Sequence, residues 1–108
     1  MFFRRPDRFP YSIEHLGRRV AWVVSDLRRM PNAGAHSSAI HLEDSLGDLT
    51  DPSALRSALS ELEQGLDRSL QDHRSELRYI RIHLRKRPAN GLVDRFLAGY
   101  RMDRTAGR

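Results

Sequence analysis

Nine positions spaced three or four residues apart, Leu55, Leu59, Leu62, Leu66, Leu70, His73, Leu77, Ile80 and Leu84, draw one stripe through the second half of a 108-residue chain. That recurrence is the period of an α-helix and excludes a strand, in which alternate side chains share a face. Asp51 and Pro52 open the segment: the carboxylate can accept orphan amide protons, and proline supplies a preset dihedral at the first helical position. Pro88 closes it. The spacing predicts a coiled-coil-like helix over about 52–87, which would be about 54 Å long at roughly 1.5 Å per residue. So long a helix in so short a chain must protrude, break, or pair with a second copy. Gly65 is its one internal weak point, less favourable than alanine by about 1 kcal/mol.

A second amphipathic helix is equally clear upstream. Ser12 can cap it; Ile13, Leu16, Val20, Val23, Val24, Leu27 and Met30 recur at helical spacing, and Pro31 stops it. Trp22 sits in this apolar stretch and is assigned to the core. Residues 32–38 are small and polar, with Gly34 among them, and read as a loop. Ile40, Leu42, Leu46 and Leu49 then suggest a short helix or an irregular packed segment. After the Asn90-Gly91 turn, Leu92, Val93, Phe96, Leu97 and Tyr100 mark a final helix. The expected fold is all-α: a small helical bundle with one long helix, completed by oligomerisation or a larger complex. Its expected organisation is a basic aromatic N-terminal arm (1–11), a single helical domain (12–102) and a frayed tail (103–108).

Composition removes several functions. No cysteine is present, so disulfides, thiolate metal sites and a cysteine nucleophile are excluded, in keeping with a reducing, cytoplasmic setting. The longest apolar run, residues 20–24, is far short of the roughly 20 residues that span a bilayer. His15, His36, His41, His73 and His83 form no four-residue helical pair; only His36, His41 and Asp44 could cluster locally around a metal. No glycine-rich phosphate loop occurs, and Ser37-Ser38 lacks the context of a hydrolytic nucleophile. The expectation is a protein with no catalytic residues, metal or cofactor.

Charge carries more information. Residues 1–42 hold seven basic and three acidic groups, residues 43–76 three and nine, and residues 77–108 nine and two. Eighteen of the nineteen cations are arginine, the side chain suited to bidentate contact with phosphate or carboxylate. Arg74, Arg78, Arg81 and Arg85 share one helix face beside the apolar stripe, and no acidic neighbour lies within helical reach of them. Each like-charged pair costs a few tenths of a kcal/mol, so something offsets the row: an external anion, salt bridges to the chain's own acidic block, or solvent.

The first of these predicts nucleic-acid contacts by Arg74, Arg78, Arg81, Arg85, Lys86 and Arg87, with His83 nearby. Arg4, Arg5 and Arg8 of the arm would assist, interleaved with Phe2, Phe3 and Phe9, a mixture that suits single-stranded RNA or DNA. The second predicts antiparallel pairing of two copies through Leu55, Leu59, Leu62, Leu66, Leu70, Leu77, Ile80 and Leu84, with His73 fixing the register. The corresponding functions are a subunit binding nucleic-acid backbone in a larger nucleoprotein assembly, such as a small subunit of an RNA-guided complex by size, helicity and charge alone, or a dimeric adaptor, chaperone or inhibitor. Protein subunits are expected partners in both, as homo-oligomer or hetero-complex, and a membrane in neither.

Overall fold

The computed structural model describes residues 12–105, with side chains as far as Met102. The arm, with Arg4, Arg5 and Arg8, lies outside the described residues. Within them the fold is all-α, five helices and a short 3-10 turn with no strand.

Helix α1 (Ile13–Arg29) starts where Ser12 Oγ accepts the His15 amide at 3.0 Å. Leu16, Val20, Val24 and Leu27 bury its inner face against α2, α4 and α5. Trp22 is not in the core: it is 41% exposed, because a residue two places from both Val20 and Val24 falls on the opposite side of a 3.6-residue helix. Residues 33–38 are not a loop. Asn32 accepts the Ala35 amide at 3.0 Å and starts α2 (Ala33–Gly47), whose inner stripe of Ala35, Ala39, Leu42 and Leu46 is built partly from alanines.

The long helix of 52–87 does not exist as one helix. Helix α3 (Pro52–Gly65) ends at Gly65, Leu66 is extended, and Asp67 accepts the Ser69 amide at 3.0 Å to cap the 3-10 turn Arg68–Leu70 before α4 (Gln71–Arg85). Asp51 holds the N-cap position of α3 without a side-chain cap bond. The break lets one half of the stripe cover the other. Leu55, Leu59, Leu77, Ile80 and Leu84 are all 0% exposed, Leu62 4% and Leu66 5%, so the hydrophobic burial expected from a second copy is obtained within one chain. The leucines and isoleucine of the stripe are therefore core within one chain, with Leu70 and His73 partly exposed. A Cα radius of gyration of 13.7 Å is near the roughly 13 Å of about 100 compact residues.

Gly91, at φ 72°, makes the turn into α5 (Leu92–Thr105), which runs three residues into the segment expected to fray. Helix α5 packs on α1 more extensively than any other pair. A Cβ on Gly17 would lie 2.0 Å from the Phe96 carbonyl oxygen, and one on Gly99 1.9 Å from that of Glu14. The two backbones touch, and only hydrogen fits between them.

Candidate functional site

Folding α4 back on α3 supplies the acid that the arginine row lacks along its own helix. Positions equidistant from the turn at 70–71 meet, and Glu63 meets Arg78. Glu63 is 4% exposed; its Oε2 accepts from Arg78 Nε at 2.9 Å and its Oε1 from Arg81 Nη2 at 2.6 Å. Arg74 Nε donates to the Glu63 backbone carbonyl at 3.1 Å, filling an orphan acceptor in the last turn of α3. Burial pushes the Glu63 carboxyl up, but the hydrogen bonds and charges of Arg81 and Arg78 outweigh it and hold it below the usual carboxylate range. Three of the four arginines expected to face an external anion thus converge on one internal glutamate. Arg74 and Arg81 are half-buried, and Arg78 keeps a side chain 52% exposed.

Beyond the clamp the hairpin opens into a groove of about 270 Å³ lined by Ser53, Arg56, Ser57, Ser60, Arg81 and Arg85. Ser60 and Arg81, and Arg56 and Arg85, are again equidistant from the turn. The serines are one helical turn apart along α3, so their hydroxyls border the groove from one side and the α4 guanidiniums from the other. No carboxylate lines it. Among the described residues the side chains of Arg56 and Arg85 have no ion pair or hydrogen bond, and Arg81 Nε is buried without an acceptor. Arg85 belonged to the expected site; Arg56 did not, since no other cation lies within helical reach of it along the sequence. Lys86 is exposed just beyond, and Arg87 is half-buried.

The opposite flank of α4 meets α1. Arg19 Nη2 donates to Glu76 Oε1 at 2.7 Å, with a second bond from Nε to Oε2, and its guanidinium carbon lies 5.3 Å from the centre of the Tyr79 ring. Tyr79 meets His83 edge-on at 4.3 Å. On α1, Trp22 contacts His15 edge-on at 5.7 Å and Arg18 at 5.8 Å. Burial first, then Arg19 and Arg18, lower the His15 pKa against an opposing effect of Glu76; burial, Lys86, Arg87 and Arg19 lower that of His83. Cations dominate the field on this flank.

Other acids meet cations elsewhere in the fold. Glu43 takes Arg28 at 2.7 Å, and His73 lies 3.6 Å from Asp26, so it faces α1 of its own chain without a hydrogen bond to it. Ser37, Ser38, His41 and Glu61 line a hollow between α2 and α3, an assortment suggestive of hydrolysis. His41 and Glu61 are 3.7 Å apart with side chains 72% and 68% exposed, too far for a hydrogen bond and open to water. His36 lines a different hollow, with Met30 and Ile40, so the structure does not bring it to His41. Among the described residues no three His, Asp or Glu side chains converge as metal ligands, and no helix is long and apolar enough to cross a membrane. No family model, curated protein or solved structure matches the chain.

Proposed function

We propose that this chain is a non-enzymatic helical protein that binds nucleic-acid backbone without strong sequence preference, as a subunit of a larger cytoplasmic assembly, and that the α3–α4 groove seats the phosphates. The observation that carries the reading is the groove lining itself: three arginines, three serines and no carboxylate. Guanidiniums offer paired donors to phosphate oxygens, and hydroxyls add neutral ones. None of these groups reads base identity, which fits positioning along a backbone. Glu63 has a supporting part, because it fixes Arg81 and the inner edge of Arg78 before any ligand arrives. The phosphate contacts are then Arg56, Arg81, Arg85, Lys86 and the exposed side of Arg78, while Arg74 secures the hairpin. An adaptor acting through the leucine stripe would need side chains that are buried here.

Fluorescence anisotropy of labelled oligonucleotides at several salt concentrations tests this. The expected log-log salt slope is about −3.5, from these five phosphate contacts on a single strand at about 0.7 each. Changing Arg56 and Arg85 together to alanine should flatten it by about 1.4, whereas Arg101→Ala on α5 should change it far less. Absence of binding at low salt by folded protein would overturn the reading.

A further inference from the structure

The flank of α4 that meets α1 has a composition that the groove does not explain. Large rings stand partly in water there, Trp22 at 41% and Tyr79 at 37% exposed, although a chain with only 7% aromatic residues could have buried both. Each ring is approached by a guanidinium, Trp22 by Arg18 and Tyr79 by Arg19. Helical geometry makes the surface continuous. His15, Arg18, Arg19 and Trp22 are spaced by three, four or seven residues, apart from the adjacent pair 18–19, and share the outer face of α1. Arg19 joins that face to Tyr79. Of the acids nearby, Glu76 holds Arg19, and Asp26, 56% exposed, lies 3.6 Å from both His73 and Arg29.

We propose that this seam is a nucleobase platform, on which Trp22 and Tyr79 stack bases while the surrounding cations attract the phosphates between them. The inference rests on the nucleic-acid reading above and deepens it by naming the substrate class: single strands, whose bases are free to stack, in preference to duplex, whose bases already are. Charge selects this occupant over an apolar protein segment: Arg18 and Arg19 flank the two rings, and Lys86 and Arg87 add positive charge beside His83. The groove on one side of α4 then neutralises backbone, and the seam on the other side grips bases. Ile82 is exposed on the same helix, and Lys86 just beyond its end. The platform adds affinity without sequence preference, because every base has a stacking face.

Trp22 is the sole tryptophan, so its emission reports on this seam alone. The full chain is titrated with a short oligothymidylate and with a matched duplex, following Trp22 emission and the anisotropy of the labelled strand together. The single strand should quench Trp22 and bind about tenfold more tightly than duplex, and Trp22→Leu should weaken single-strand binding by about tenfold, the size of one lost stacking contact. The salt slope should not move, since no phosphate contact is removed. Trp22→Phe, which keeps a stacking ring, should restore most of the affinity. Helical circular dichroism checks that the variants fold; should Trp22→Leu fail to, the quench and the single-strand preference of the native chain decide alone. Binding that flattens in the Arg56/Arg85 variant but leaves Trp22 emission unchanged, or is equal for both strand forms, overturns the platform and leaves the groove standing. No binding of either oligonucleotide overturns both.

Discussion

Helices α1 and α5 are joined as tightly as two helices can be, backbone against backbone at Gly17 and Gly99, with Phe96, Leu92 and Leu16 sealing the contact. Helices α3 and α4 are joined differently, by leucines on one side and a buried glutamate holding two guanidiniums on the other. The first pair closes on itself, and the ion pair of Glu14 with Arg95 lies at the surface at 2.8 Å. The second pair has more cations than its acid can satisfy, and the excess lines a groove. The first interface is a matter of shape; the second leaves chemistry exposed to a ligand.

Adding volume to the first interface should have the largest effect. Gly99→Ala puts a methyl group 1.9 Å from a backbone oxygen that cannot swing away, and the expected loss is about 3 kcal/mol or more, the upper range for overpacking. Urea denaturation measures it, with Gly47→Ala, whose Cβ meets nothing within 4 Å, staying within about 0.5 kcal/mol of the native chain. Removing the acid of the second interface comes next. Glu63→Ala leaves a half-buried Arg81 unpaired and should lose about 2 kcal/mol, whereas Glu14→Ala breaks a more exposed pair and should lose under about 1 kcal/mol.

Acid titration probes both interfaces at once. Arg95 holds Glu14 at about 2, below its ordinary 4.5, and Glu63 is also lowered. Carboxyls depressed in the folded state contribute stability that is present above their unfolded pKa and lost as pH falls through the folded one. The unfolding midpoint should therefore fall below about pH 4.5, and Glu63→Gln should remove part of that dependence. The smallest effect on stability belongs to the groove. Arg56→Ala and Arg85→Ala should each stay within about 0.5 kcal/mol of the native chain while weakening oligonucleotide binding, the opposite of what Gly99→Ala does.

Much of this architecture was legible in the sequence. Ser12, Pro31 and the spacing of Leu16, Val20 and Leu27 define α1, and the two halves of the leucine stripe become the hairpin. The break itself was harder to see. Gly65 tolerates a bend without compelling one, and the cap at Asp67 works only once Leu66 has left the helix. Helix α2 was hidden because Ala35 and Ala39 are too small to stand out as an apolar stripe. Trp22 misled because its neighbours in sequence are apolar, although its helical phase places it outward with Arg18. Of the candidate site, Arg81 and Arg85 were found from their spacing along one helix. Arg56 and Glu63 were missed because their importance comes from residues across a turn whose position the periodicity does not fix. Once that turn is placed at 70–71, Arg56 opposite Arg85 and Glu63 opposite Arg78 follow by counting.

The account depends on that turn. The chain has no cysteine, so cysteines introduced at the exposed positions Ser57 and Lys86 can carry spin labels without background, and pulsed electron spin resonance can measure the distance between them. A hairpin with helix axes about 8–10 Å apart predicts a single distance under about 25 Å. A population near about 44 Å, the length of an unbroken helix between these positions at roughly 1.5 Å per residue, would separate Arg56 from Arg85 and contradict the groove on which the proposed function stands.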